Sequence, residues 1–145
     1  MRHLLAAAAL LALALPAAAG EFRTIAENGT VLYDAPSVRA KKLFVTSRNY
    51  PVEIVINVDN WVKVRDCTGD LAWIEKKALS DNRAVIVTAP AADVRAAAND
   101  QAQLVFQAQQ GVVLDVAEPP AGGWVKVRHA SGRTGYVKVS QVWGS

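Results

Sequence analysis

Cys67 and His129 are the two side chains of this sequence that could supply a nucleophile and a base. Cys67 is the single cysteine, and His129 is the one histidine outside the Arg2-His3 start of the chain. A Cys–His hydrolase needs the two groups within hydrogen-bond reach. They fall in corresponding turns of two repeated segments, so they could meet only across an interface. The sequence therefore favours an exposed, inert thiol, with intermolecular pairing as the alternative and a hydrolase as a distant third.

The other ionisable residues indicate neither a metal centre, nor a cofactor, nor a nucleic-acid surface. One cysteine and one distant histidine offer no ligand spacing, and the turn at residues 66–70 is too short for a calcium loop. The chain carries 16 Lys and Arg against 13 Asp and Glu, and the basic residues do not cluster with aromatic ones. We therefore predict no catalytic residue, no metal ligand and no cofactor, and the protein is not expected to be an enzyme.

A repeated pentapeptide is the strongest pattern in the chain. Trp61-Val62-Lys63-Val64-Arg65 occurs again as Trp124-Val125-Lys126-Val127-Arg128, at an interval of 63 residues. The same interval pairs Val31 with Val94, Ala35 with Ala98, Gly69 with Gly132, Trp73 with Tyr136 and Ile74 with Val137. This period is that of a small domain rather than of one solenoid turn. A fold that occurs twice in one chain favours a binding or scaffolding protein, because an enzyme would need one asymmetric site.

Alternating apolar and polar residues predict an all-β structure around this repeat. In both copies the valines of the pentapeptide face one way, and its tryptophan, lysine and arginine face the other. A turn and a second apolar run follow each pentapeptide, which predicts a hairpin, whereas Pro119-Pro120 is expected to lie in a loop. We predict two tandem small barrels, at residues 21–81 and 83–145. They are expected to be docked, because the linker at 80–82 is short and each core is small.

The first residues read as a secretory signal peptide. A basic start is followed by a run of Leu and Ala from Leu4 to Leu15, then by Pro16 and three alanines. The run is too short to span a bilayer, so no transmembrane segment is predicted. We expect residues 1–19 to be removed, with cleavage after Ala19 or Gly20. The mature protein is then exported, to the periplasm or otherwise secreted.

Both copies resemble the bacterial SH3-like domain family in its tandem, exported form. The residues that carry the resemblance are the two pentapeptides, Gly69 with Leu71-Ala72-Trp73-Ile74, and Gly132 with Gly135-Tyr136-Val137. Asp93-Val94-Arg95-Ala96 and the closing Val142-Trp143-Gly144 are also similar to family elements, while Asn60 and Ala72 depart from its usual glycines. The resemblance implies a five-stranded, partly open barrel for each copy. It also implies a non-catalytic module of the bacterial envelope, and some members are similar to domains that bind peptidoglycan peptides.

Aromatic side chains on the polar face of the strands are the candidate ligand-binding residues. They are Trp61 and Trp73 in the first copy and Trp124 and Tyr136 in the second, together with Tyr33, which is expected in a long loop that faces the strand of Trp61. They could line a groove for an extended or proline-rich peptide, or they could cap the open ends of the barrels. The second copy has Ala96 in the place given to Tyr33, so the first groove is favoured. The function expected is a binding or adaptor module for an envelope protein, a peptide or peptidoglycan, with a structural accessory as the alternative.

Overall fold

The computed structural model describes residues 20–145, and the expected signal peptide at 1–19 lies outside them. The described chain is all-β, apart from two single turns of 3₁₀ helix at Lys76–Ala78 and Val139–Gln141. Within residues 20–145 there is no helix long and apolar enough to cross a membrane. The prediction of an all-β chain is confirmed.

Seven strands build the first unit and seven build the second. The first set is β1 (Glu21–Ile25), β2 (Thr30–Tyr33), β3 (Lys42–Thr46), β4 (Pro51–Val58), β5 (Trp61–Arg65), β6 (Leu71–Glu75) and β7 (Leu79–Ser80). The second set is β8 (Ala84–Val87), β9 (Ala91–Arg95), β10 (Leu104–Gln109), β11 (Val113–Ala121), β12 (Trp124–Arg128), β13 (Thr134–Lys138) and β14 (Val142–Trp143). The count exceeds the five implied by the family resemblance because short segments, such as β7, also join the hydrogen-bonded ladder.

The two sheets have the same strand order, which is the structural form of the sequence repeat. The first runs β3-β2-β6-β5-β4-β1-β7 and the second runs β10-β9-β13-β12-β11-β8-β14, with antiparallel pairing throughout. The inward valines of the pentapeptides are confirmed, since Val62 and Val64 are 1% exposed, Val125 is 1% exposed and Val127 is fully buried. Each sheet therefore closes on its own core, because strand residues of one parity share a face.

The strand register shows that the interval between the copies is not constant. In the first unit Leu32 lies opposite Phe44, and in the second Val94 lies opposite Phe106, an interval of 62 residues. From the pentapeptide onward the interval is 63. The expected pairings of Val31 with Val94 and of Ala35 with Ala98 are therefore each wrong by one residue. They fail because matching identical residues does not detect a one-residue insertion further along the chain.

The insertion lies in β11, where a loop was expected. Pro119 and Pro120 continue this strand to Ala121, and the pairing with β12 shifts register between Glu118 and Ala121. Proline has no N–H to donate, so it is tolerated where a bulge leaves a residue unpaired. A second bulge, between Val116 and Glu118, has a counterpart in the first unit between Ile54 and Ile56.

The two units are in contact along the linker. The ring of Phe22 meets the indole of Trp143 edge-on, with centroids 5.1 Å apart and planes at 88°. The buried Thr24 hydroxyl donates to the carbonyl of Asn82 at 2.9 Å. Asn49 Nδ2 donates to Asp115 Oδ1 at 3.3 Å. Aromatic packing and directional hydrogen bonds thus join the first unit both to the linker and to the second unit.

Candidate functional site

Strands β4, β5 and β6 of the first unit bring two of the predicted aromatic residues, Trp61 and Trp73, to one outer face. Trp61 lies opposite Val58 and Glu75 on the neighbouring strands, and Lys63 lies opposite Ile56 and Trp73. Directly opposed residues of an antiparallel pair project to the same face of the sheet. We call the surface formed by Ile56, Val58, Trp61, Lys63 and Trp73 the first outer face.

Tyr33 is a strand residue rather than a loop residue, and it projects to the same side of the sheet as Trp73. It is the last residue of β2, directly opposite Trp73, and only 9% of it is exposed. Its ring meets the indole of Trp61 edge-on, at 5.6 Å between centroids and 81° between planes. Tyr33, Trp61 and Trp73 are therefore brought together, as the groove hypothesis requires. The burial of Tyr33 also shows that this ring supports Trp61 and does not stand open to solvent.

The apolar part of the first outer face extends beyond the residues chosen from the sequence. Ile56 is 45% exposed and Val58 is 43% exposed, beside the partly exposed indoles of Trp61 and Trp73. Lys63 holds its ammonium group 6.0 Å from the centre of the Trp73 ring. Sequence reasoning missed Ile56 and Val58 because it selected only aromatic residues as candidates. Val55, Ile56 and Val58 place apolar side chains on both faces of a strand, and this pattern is the signal that could have revealed them.

The corresponding face of the second unit has Glu118 and Ala121 at the positions of Ile56 and Val58. Lys126 lies opposite Glu118 and Tyr136, its ammonium group lies 3.3 Å from the Glu118 carboxylate, and it stands 5.9 Å from the Tyr136 ring centre. Trp124 is covered by Lys138, with the ammonium group 5.7 Å from the centre of the ring. Trp124 and Tyr136 are thus each paired with a lysine of their own unit.

Arg95, and not Ala96, occupies the position of Tyr33 in the second unit. Tyr33 lies opposite Trp73, and Arg95 lies opposite Tyr136, the counterpart of Trp73. The expectation for Ala96 followed from the 63-residue interval, which is wrong in this part of the chain. Arg95 donates to the carbonyl of Ala102 at 2.9 Å and pairs with Asp93 at 3.1 Å. The two copies therefore differ more than expected, with a charged residue replacing a buried ring.

Cys67 is half-buried, which corrects the expectation of an exposed thiol. Its Sγ lies 3.7 Å from the hydroxyl of Tyr50. Burial raises the pKa of Tyr50 above its ordinary value, and the contact with Cys67 and the charges of Asp66 and Asp70 raise it further. A phenol that holds its proton is a poor base for activating a thiol. The contact is therefore a packing interaction with a weak hydrogen bond.

His129 makes its contacts within the second unit. Its Nδ1 lies 2.9 Å from the Ser131 hydroxyl, and its ring lies 5.5 Å from that of Phe106. Over residues 20–145 no hydrogen bond connects His129 with Cys67. In that same range, no group of three or more His, Cys, Asp or Glu side chains is placed to hold a metal ion. The geometry supplies an aromatic surface, and it does not assemble the Cys–His pair.

Comparison with known proteins identifies both units. The family model described as "Bacterial SH3 domain" matches residues 26–81 and again residues 88–144. No curated protein matches the chain.

Several solved structures are similar to the chain at low identity. NlpC2 from Trichomonas vaginalis is 14% identical, with 88% of this chain and 49% of that chain covered and a TM-score of 0.41. NlpC1 from the same organism is 13% identical, with 90% and 48% covered and a TM-score of 0.41. An NlpC/P60 family protein from Bacillus cereus ATCC 10987 is 14% identical, with 85% and 56% covered and a TM-score of 0.39. This chain spans about half the length of each of them.

Proposed function

Because the chain belongs to the bacterial SH3 domain family, whose members are generally binding modules, we propose that it is a non-catalytic binding or adaptor protein. The ligand is an extended peptide segment, carried by an envelope protein or by peptidoglycan. It lies on the first outer face, where aromatic rings and aliphatic side chains are side by side. Surfaces of this kind recognise extended peptides through side-chain pockets between rings.

One observation carries this proposal, which is the unequal distribution of exposed apolar side chains between the two copies. Of the ten large apolar residues that are exposed over residues 20–145, eight belong to the first unit, and two of these, Ile56 and Val58, lie on the first outer face. Contiguous apolar surface is costly to leave in water and marks interaction sites. At the corresponding positions of the second unit, Glu118 and Ala121 replace Ile56 and Val58. The first unit is accordingly the ligand-binding copy, and the second positions or supports it.

The export of the protein is part of the same proposal. The pattern of residues 1–19 supports it, since a basic start, an apolar run and small residues are typical of secretory signals. An exported module meets envelope proteins and peptidoglycan, whereas nucleic acid is not among its expected partners. The periplasm is the proposed location, with secretion as the alternative.

A structural accessory role is the second candidate, and the burial of Tyr33 favours it. A tyrosine with 9% exposure that meets Trp61 edge-on completes a small aromatic cluster by itself. Under this reading the rings close the end of the barrel and no ligand is needed. The two candidates differ in one measurable way, because only a binding module loses its partner when the exposed aliphatic residues become charged.

Ile56→Glu is the variant that separates the candidates. It places a carboxylate opposite Lys63, and the second unit already has this arrangement in Glu118 and Lys126. The second unit therefore shows that the fold accommodates a glutamate at this position. Leu104→Glu is the matched control, because Leu104 is 47% exposed, close to the 45% of Ile56, and belongs to the second unit.

Both variants and the wild type are tested by pelleting with purified peptidoglycan and by pull-down from envelope extract. We expect Ile56→Glu to lower the affinity of the captured partner at least about tenfold and Leu104→Glu to leave it unchanged, as for a residue at the centre of an interface. Equal binding by the two folded variants would contradict the placement of the ligand. Failure of the wild type to bind in either assay would favour the structural accessory.

A further inference from the structure

A polar cleft lies where the two units meet, and no residue of the first outer face lines it. Its volume is about 330 Å³. Residues from both units and from the linker line it, and six of them are polar: Arg48, Asn49, Asn82, Arg83, Asp115 and Arg128. Three guanidinium groups thus share the cleft with one carboxylate. Such an excess of positive charge in a concave site raises the local concentration of anions.

None of the three arginines is neutralised by a carboxylate. In the described part of the chain, no Asp or Glu oxygen lies within 4.0 Å of the side-chain nitrogens of Arg48, Arg83 or Arg128. Arg83 is held in place by other means. It donates to the carbonyl of Gly144 at 3.3 Å, and its guanidinium lies 5.7 Å from the centre of the Phe22 ring. Its charge therefore remains available.

The repeat provides an internal comparison for Arg128. The counterpart of Arg128 in the first unit is Arg65, which lies opposite Glu53 and pairs with its carboxylate at 3.3 Å. Arg128 lies opposite Asp115 in the same way, yet no ion pair forms between them within residues 20–145. Asp115 is one methylene shorter than Glu53 and instead accepts the hydrogen bond from Asn49 of the first unit. The contact between the units thus leaves Arg128 free.

The residues around the cleft are fixed by backbone contacts. The N–H of Arg48 donates to Asn28 Oδ1 at 2.9 Å, and that of Asn49 donates to the carbonyl of Ile25 at 2.9 Å. The N–H of Asn82 donates to Ser80 Oγ at 3.1 Å, and its carbonyl accepts from Thr24. A site with a fixed backbone loses less entropy on binding than one that must order its loops.

We propose that this cleft binds a multivalent oxyanion, that is, a small ligand carrying two or more phosphate or carboxylate groups. Planar guanidinium forks donate paired hydrogen bonds to such groups. The side-chain amides of Asn49 and Asn82 can donate further hydrogen bonds to oxygen atoms of the ligand. Because Arg48 and Arg128 belong to different units, the site exists only in the docked arrangement, and ligand binding stabilises that arrangement. This site is independent of the first outer face and of the function proposed for it.

Calorimetric titration of the full chain at low ionic strength tests the proposal, with pyrophosphate as the phosphate probe and citrate as the carboxylate probe. The test variant is Arg48→Gln with Arg128→Gln. The control is Arg39→Gln with Arg133→Gln, which removes the same charge from two exposed arginines outside the cleft. We expect the test variant to lose affinity about tenfold and the control less than about twofold, because exposed charges outside the cleft act on the ligand only through the high dielectric of water.

A variant that is expected to strengthen binding completes the design. Asp115→Asn removes the one negative charge of the cleft and keeps an oxygen that can accept from Asn49, so it should tighten binding about threefold, as expected when a nearby like charge is removed. The probe that binds more tightly shows whether the ligand class is phosphate or carboxylate. The proposal is overturned if the wild type binds neither probe, or if the control variant loses as much affinity as the test variant. Unchanged binding by a folded Asp115→Asn protein would equally overturn it.

Discussion

Asn49 donates the hydrogen bond to Asp115 from a backbone position that the second copy gives to glycine. Asn49 has a φ of 68°, and its counterpart Gly111 has a φ of 88°. Among residues with a side chain, asparagine is one of the few that adopts this left-handed conformation readily. The first unit thus keeps the turn and gains an amide that reaches Asp115 at 3.3 Å. One residue serves both the local turn and the contact between units.

Asn49→Gly should weaken the contact between units without disturbing the turn. Because Gly111 shows that glycine fits this conformation, the loss is that of the hydrogen bond to Asp115, about 1 kcal/mol in the free energy of unfolding. Chemical denaturation measures it. In an Asp115→Ala background the same substitution should cost nothing further. A full additive loss in the double variant would show that the two residues are not coupled.

Separating the units should lower the stability of each. When residues 21–82 and residues 83–145 are expressed separately, both halves lose the contact between Phe22 and Trp143. Cores of about 60 residues are near the lower limit for independent folding. We expect each half to unfold at a lower temperature than the intact chain, as followed by circular dichroism. Halves that match the intact protein would show that the interface contributes nothing.

Trp61→Ala should weaken partner binding more than Trp124→Ala. Trp61 belongs to the apolar first outer face, whereas Trp124 is covered by Lys138. The expected difference is about 2 kcal/mol in binding free energy, as for an aromatic hot spot. The comparison requires folded proteins, because Tyr33 is packed against Trp61 and loses cover in the first variant. Equal binding by both folded variants would favour the end-cap role of the rings.

The free energy of unfolding should fall in alkaline solution through Tyr50. Its pKa is raised in the folded state, mainly by burial, so the native protein keeps a proton that the unfolded chain releases above pH of about 10. The stabilisation is therefore complete below that pH and is lost as the pH rises through the folded-state pKa. Tyr50→Phe should show a shallower alkaline decline in denaturant titrations. Parallel declines in the two proteins would contradict the assignment to Tyr50.

Cys67→Ser should leave the fold and partner binding intact. The serine hydroxyl keeps a group that can hydrogen-bond with Tyr50, which the thiol contacts at 3.7 Å. The change in unfolding free energy should stay within about 0.5 kcal/mol, as at partly exposed sites without a special role. Thermal unfolding and size-exclusion chromatography measure the outcome. Loss of a native dimer in this variant would identify Cys67 as an intermolecular disulfide.

The sequence by itself determined the fold class and the inward face of each pentapeptide strand. Val62 and Val125 were assigned to the core from alternation alone, and both are buried. This succeeded because the two-residue period of a strand is a local property, set by the backbone and visible in any short window. The repeat of Trp61 at Trp124 likewise established that one architecture occurs twice.

Only the tertiary structure decided which side chains meet across strands and between units. The register places Arg95, and not Ala96, at the position of Tyr33, because a bulge near Pro119 absorbs one residue that a comparison of identical residues cannot detect. Contacts such as Tyr50 with Cys67, and Asn49 with Asp115, join residues 17 and 66 positions apart. Strand pairing and docking set these distances through many weak interactions at once, and no short window of sequence contains them.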